Sequence, residues 1–288
     1  MRALSSLRLR RALQRLGLVL SLLLGAARPA TAAPPPSHEL EHVDTRFLAF
    51  ELGGSLVFSG VLLLAAPPTP AACQWCTSNG FDEAFRDLLR SESPRAAAGL
   101  SHALSTGAGP ALALGALVPP ALMTGGGREA LENLVIAFDA VTVTFGLTQF
   151  TKHVAARARP AEVHGVYPAT EYANIEAQRF QSFFSGDTSL AFSLASTATT
   201  ISFLRGYPVA PYVLGMGSVI AFGTAGLRIA ADMHFATDVL TGAAVGTAVG
   251  FGMPYFIHGR KRVAGAGDLM LIPRVGAGEA GVRVLGRF

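Results

Sequence analysis

The chain has 288 residues, of which 50% are hydrophobic and only 15% charged, with a formal net charge of +4. So apolar a composition excludes an ordinary water-soluble domain and makes a bilayer the natural solvent. The small basic excess is spread thinly and no basic stripe is interleaved with aromatics, which excludes nucleic acid as a partner.

Residues 1–33 begin with Arg2, Arg8, Arg10, Arg11 and Arg15, run through an apolar stretch from Leu16 to Ala27, and reach Ala30-Thr31-Ala32. The apolar part is shorter than the ~20 residues that span a bilayer. This is the three-part plan of a secretory signal peptide, with cleavage expected near Ala32 or Ala33; an uncleaved anchor is the alternative. A short polar linker, 34–44, leads into apolar stretches at about 45–66, 100–124, 131–150, 188–206, 209–227 and 235–257. They predict an all-α, six-span transmembrane helical bundle over 34–257. Pro110, Pro119 and Pro120 interrupt the second stretch, which spanning helices tolerate where neighbours satisfy the freed backbone groups. Frequent Gly, Ala and Ser suit close helix approach in lipid.

Between the first two spans, Cys73 and Cys76 form a lone Cys-x-x-Cys beside Trp75 in a Pro-rich loop. Two ligands do not close a structural zinc site, and the strand-helix setting of a redox motif is missing; a local disulfide and two free thiols both remain open. Residues 79–99 carry mixed charge with Phe81, Phe85, Leu88 and Leu89 on one face, which predicts a helix lying along the interface, a solvated loop helix being the alternative. The tail, 258–288, opens on a basic turn, Arg260-Lys261-Arg262. Its runs Leu269 to Val275 and Val282 to Phe288, flanking a Gly-rich turn, predict a short C-terminal β-hairpin.

In so apolar a chain the ionisable residues near the span ends are the informative ones. One group, Lys152, Arg157, Arg159, Glu162, His164, Glu171, Glu176 and Arg179, lies between the third and fourth spans; the other, Arg228, Asp232, His234 and Asp238, lies where the fifth turns into the sixth. An even number of crossings separates them, so they share one side of the membrane. Lys152 and Arg159 are seven apart, two helical turns, which predicts one helix face for both with Pro160 ending the helix. Ser185 and Gly186 offer a hydroxyl and free N–H groups at the start of the fourth span, where an anion is favoured. His234 and Asp238 are one turn apart, so the carboxylate can hold one ring nitrogen and free the other. Together these suit a tetrahedral oxyanion under nucleophilic attack.

These residues resemble the type 2 phosphatidic acid phosphatase and vanadium haloperoxidase superfamily. Its Lys-x6-Arg-Pro motif is met by Lys152, Arg159 and Pro160. Its Ser-Arg-x5-His-x3-Asp motif is met by Arg228, His234 and Asp238, with Leu227 in place of the serine. Its Pro-Ser-Gly-His motif reads here as Phe184-Ser185-Gly186-Asp187, followed by Thr188-Ser189. The resemblance covers about residues 45–257. It implies a membrane lipid phosphatase in which His234 attacks phosphorus and forms a phosphohistidine, Asp238 orients His234, and Lys152, Arg159, Ser185, Gly186 and Arg228 bind the non-bridging oxygens. It implies no metal and no cofactor, a lipid phosphate as substrate, and no obligate protein partner beyond the bilayer itself.

Asp187 stands where the family has the histidine that protonates the leaving group. Three readings follow: a diphosphate substrate whose departing group needs less protonation, another donor such as His164 or His153, or a weakened or inactive protein that only binds lipid phosphate. A lipid head-group phosphotransferase is a further alternative. The side of the membrane is contested within the sequence. A cleaved signal followed by six spans puts the site in the cytoplasm, whereas the positive-inside rule holds Arg260-Lys261-Arg262 in the cytoplasm and puts the site in the periplasm. The expectation is a multi-pass protein of a bacterial inner membrane with a periplasmic site.

Overall fold

A computed structural model describes residues 38–40, 45–166, 178–261, 269–276 and 279–286. The expected signal peptide, Glu171 and Glu176 lie outside the described residues. A short strand β1 (His38–Leu40) precedes helix α1 (Thr45–Ala65), followed by α2 (Gly80–Leu89) and α3 (Pro94–Ala103). A π-helical turn, Leu104–Ala108, carries α3 into α4 (Gly109–Leu117) and then α5 (Pro119–Thr124), so that Pro94–Thr124 forms one long apolar run. Then come α6 (Gly126–Ala155), α7 (Pro160–Val163), α8 (Gly186–Leu204), α9 (Ala210–Ala230) and α10 (Ala236–Gly252). A second π-helical turn, Met253–Ile257, ends α10, and β2 (Gly259–Lys261) pairs antiparallel with β1. At the end of the chain β3 (Leu269–Gly276) pairs antiparallel with β4 (Glu279–Gly286).

Five helical runs among the described residues are long and apolar enough to cross a membrane: Arg46–Ala65, Pro94–Thr124, Gly126–Ala155, Ala210–Ala230 and Ala236–Ile257. The chain is therefore a multi-pass membrane protein. Helix α8, expected as the fourth span, is not among the five, because serine and threonine fill the positions by which it packs. It lies at the centre of the bundle against α6, α9 and α10. Toward α6, the Thr144 hydroxyl donates to Ser193 at 3.1 Å and the hydroxyls of Thr148 and Ser189 meet at 3.0 Å. Apolar contact among Leu117, Ile136, Leu194, Ile201 and Val213 fills the space between α4, α6, α8 and α9.

The closest approach is between α8 and α10. Gly242, Gly246 and Gly250, one turn apart on α10, face the backbone of Ser185, Ser189 and Ser193, also one turn apart. A β-carbon at Gly246 would lie 2.3 Å from the Ser189 carbonyl oxygen, and one at Gly250 2.4 Å from that of Ser193. Small residues at helical spacing let two backbones touch where lipid supplies no hydrophobic drive.

Polar residues at the two ends of α6 mark the depth of the bundle. Near its start the Arg205 guanidinium donates to Glu132 at 2.8 Å, and the Tyr207 hydroxyl donates to Glu129 at 2.6 Å and accepts from Asn133 at 2.9 Å. Burial, reinforced by the bond to Glu129, pushes the Tyr207 hydroxyl up to about 12. Near the end of α6 stands Lys152, roughly 30 Å from Glu132 at 1.5 Å per residue, which matches the hydrocarbon thickness of a bilayer.

Helix α2 turns its faces opposite to the globular habit. Phe81, Phe85 and Leu88 are exposed, while Asp82 and Arg86 are buried against the bundle. An outward apolar face on a short charged helix suits a position along a membrane surface. The amphipathic stretch read as 79–99 is thus split, with α2 ending at Leu89 and the second long run already beginning at Pro94.

Gly246→Ala should lower stability by about 1–3 kcal/mol, the usual cost of overpacking a close contact. Gly226→Ala, whose β-carbon would meet nothing within 4 Å, should not. Thermal unfolding of both variants in detergent checks this, and equal midpoints would overturn the close-approach account.

Candidate active site

The C-terminal ends of α6 and α9 meet the N-terminal ends of α8 and α10, so the two polar groups seen in the sequence come together. They line a cavity of about 550 Å³ whose wall includes Lys152, Arg159, Gly186, Asp187, Arg228 and His234. Lys152 sits against the start of α8, and a β-carbon at Gly186 would be 3.6 Å from its Nζ. Arg228 projects from the last turn of α9 and pairs with Asp187 at 3.0 Å.

Arg159 arrives differently from the expectation. Helix α6 stops at Ala155, and Ala156 takes a left-handed φ of 42°, so Arg159 is not two helical turns above Lys152 but on an extended segment leading into α7. It is fixed there by donating to the Gln178 carbonyl at 3.0 Å and the Met233 carbonyl at 3.2 Å. The buried Ser185 hydroxyl meets Thr188 at 2.8 Å, while Gly186 and Ser189 line the cavity.

His234 is held on its Nδ1 side. Nδ1–H donates to the Ser182 carbonyl at 2.8 Å, which assigns the tautomer and leaves Nε2 as the nitrogen available to the cavity. Burial, with the charges of Arg159, Arg228 and Lys152, holds its pKa well below the usual histidine range, so the ring is neutral and nucleophilic at neutral pH. Asp238 does not hold the ring directly, since its Oδ2 lies 3.7 Å from Nδ1. Instead it accepts from the Ser182 hydroxyl at 2.6 Å and from the Phe235 N–H at 2.9 Å, and so fixes the residue whose carbonyl orients His234.

Behind Asp238 stands Arg157, fully buried. It donates to Asp238 at 2.5 Å, to Asp82 at 2.7 Å and to Thr237 at 2.7 Å, and its guanidinium lies between the rings of Trp75 and Phe235 at 3.7 and 4.4 Å from their centroids. Cys73 and Cys76 form a disulfide that closes the loop carrying Trp75. The backbone on either side of Arg157 is pinned to this loop, with Gln74 N–H donating to Ala156 and Ala158 N–H donating to Trp75. Asp232, with φ 54°, accepts from Arg86 at 2.6 Å and anchors the turn that presents His234.

Sequence reasoning named Arg157 without its role and missed Asp82, Ser182 and His102. Asp82 and Arg86 share the polar face of α2 one turn apart, a signal of inward pairing that was legible. His102, at the end of α3, lines the cavity with Nδ1 3.3 Å from Asp187. The donors suggested in its place do not line it: His164 pairs with Glu83 at 3.1 Å and His153 bonds the Pro67 carbonyl at 2.6 Å.

Removing Arg157 leaves two carboxylates, Asp82 and Asp238, buried together. Arg157→Ala should therefore cost about 3–5 kcal/mol, read as a large fall in the thermal midpoint or loss of folded protein. The depressed pKa of His234 gives a second expectation. Below the unfolded value of about 6.5 the unfolded ring binds a proton that the folded ring refuses, so this group removes stability as pH falls from about 7 to 5. His234→Gln should lose less of its midpoint over that interval than the native chain, and an equal loss would contradict the depressed pKa.

Residues 133–262 match the family model of the PAP2 superfamily, a span that contains every cavity residue discussed above except His102. No curated protein and no solved structure matches the chain. With Lys152, Arg159, Arg228 and His234 gathered around one cavity inside that span, the match supports the type 2 phosphatidic acid phosphatase superfamily for residues 133–262 and a phosphatase-type site there.

Proposed function

We propose that the chain is a metal-independent membrane phosphatase that removes phosphate from a lipid phosphate or diphosphate through a phosphohistidine on His234. The observation that carries the lipid reading is the junction of two cavities. An apolar groove of about 640 Å³, lined by Leu52, Pro110, Leu114, Phe138 and neighbours, shares Val141 and Leu190 with the basic pocket. A phosphate seated among Lys152, Arg159 and Arg228 can thus have a hydrocarbon tail running between α1, α4, α6 and α8.

In this reading Nε2 of His234 attacks phosphorus. The negative charge on the non-bridging oxygens falls on Lys152, Arg159, Arg228 and the free N–H groups at the start of α8. Three basic side chains stand where magnesium stands in many phosphoryl transferases, which supports a reaction without metal. Water then cleaves the phosphorus–nitrogen bond and frees His234.

The pairing of β1 with β2 supports six crossings rather than five. Those strands flank the first and last spans, and strands on opposite sides of a membrane do not pair. Arg205, at the end of α8 remote from the site, donates to the Leu40 carbonyl at 3.3 Å, which sets β1 on the face opposite His234. With the basic β2 on that same face, the positive-inside rule supports a periplasmic site in a bacterial inner membrane.

Phosphate release by the purified protein from phosphatidic acid and from a polyprenyl diphosphate tests the reading. Turnover should vanish in His234→Ala, survive EDTA, and be inhibited by orthovanadate, which mimics five-coordinate phosphorus. Leu114→Trp, which narrows the groove, should slow lipid substrates and spare a short water-soluble phosphate ester. Activity retained by His234→Ala would remove the mechanism, and equal slowing of both substrate types by Leu114→Trp would remove the groove as the tail site.

A further inference from the structure

Breaking a phosphate ester of an ordinary alcohol leaves an alkoxide, which is too basic to depart without a proton. Few groups around the cavity can give one. The guanidiniums of Arg159 and Arg228 keep their protons at any working pH. Asp187 is committed as an acceptor, from Arg228 at 3.0 Å, the Ser105 hydroxyl at 2.9 Å and the ring of His102 at 3.3 Å. Lys152 is buried with its Nζ beside Gly186, where the phosphatase reading assigns it to the non-bridging oxygens. His102 differs from all of these: its side chain is 66% exposed, it stands on the cavity wall, and a carboxylate holds its Nδ1 so that Nε2 is the free position.

Its place along the chain matters as much. Thr106, one helical turn after His102, lines the apolar groove, and its hydroxyl donates to the His102 carbonyl at 2.7 Å. The same helical run therefore touches the phosphate pocket with His102 and the tail groove with Thr106. The oxygen that joins phosphate to tail must lie where those two cavities meet.

We propose that His102 is the acid that protonates the leaving oxygen, with Asp187 as the carboxylate that positions it. This rests on the phosphatase reading above and takes up the alternative in which a group other than Asp187 supplies the proton, with His102 in the place suggested for His164 or His153. In the first step Nε2 of His234 forms a bond to phosphorus, the bond from phosphorus to the ester oxygen breaks, and Nε2–H of cationic His102 passes its proton to that oxygen. The alcohol leaves with its tail, and His102 is neutral. In the second step His102 takes a proton from the attacking water as the phosphorus–nitrogen bond breaks, giving inorganic phosphate, free His234 and cationic His102 again.

The test compares His102→Gln with the native chain on dioctanoyl phosphatidic acid, whose leaving group is an alcohol, and on 2,4-dinitrophenyl phosphate, whose phenolate needs no proton. The quantity is kcat/KM, which reads only the steps up to the phosphohistidine. His102→Gln should lose roughly a hundredfold or more on the phosphatidic acid and change little on the aryl phosphate. Retained aryl phosphatase activity also reports that the variant is folded. Parallel losses on both substrates, or no loss on phosphatidic acid, overturn the assignment of His102. A native chain inactive on both substrates overturns the phosphatase reading and this one with it, whereas His234→Ala should abolish both activities whichever residue is the acid.

Discussion

A guanidinium without access to solvent, that of Arg157, is the interaction on which the site depends. Two carboxylates from distant parts of the sequence, Asp82 and Asp238, neutralise it, and two aromatic rings cover its faces. Placing a charge in such surroundings costs several kcal/mol unless its partners are fixed in good geometry. Here the requirement works in both directions, because the partners it fixes are those that build the site. Asp238 holds Ser182, Ser182 holds His234, and the disulfide loop around Trp75 keeps the backbone of Arg157 in place.

The bundle around this core reconciles two demands. An apolar solvent gives helices little reason to associate, so α8 and α10 meet by backbone contact through glycine, and α8 and α6 meet through paired hydroxyls. That makes α8 rich in serine and threonine and largely enclosed by its neighbours. Its enclosed position also sets its first turn, with Gly186 and Asp187, between Lys152 and Arg228. The polarity that excludes α8 from the apolar runs and the polarity of the site thus have one origin, a helix most of whose surface packs against protein.

The cavity pair has a corresponding division of labour. Basic side chains at the ends of α6 and α9 suit a phosphate, while the wall shared with the apolar groove suits a tail. The Asp187 carboxylate stands between Arg228 and His102, both on the cavity wall. A single carboxylate can thereby set the geometry of both.

Much of the site was determined by local sequence. Lys152, Arg159, Gly186, Arg228 and His234 stand out because an ionisable or helix-starting residue at the end of an apolar run is costly in lipid and has little structural reason to be there. The helical runs themselves follow from the length and hydropathy of each stretch, which a bilayer reads directly. What tertiary structure alone decided is who holds whom. Helical spacing put Asp238 on the His234 ring, but Arg157 and Ser182, which come from another segment, draw the carboxylate away to 3.7 Å. Spacing likewise put Arg159 on the helix of Lys152, until the left-handed turn at Ala156 ended it. His102 lies 85 residues before Asp187, at the start of the second apolar run. Its partnership arises only because α3, α8 and α9 converge at one end of the bundle, and distances between separate helices are not written in the periodicity of any one of them.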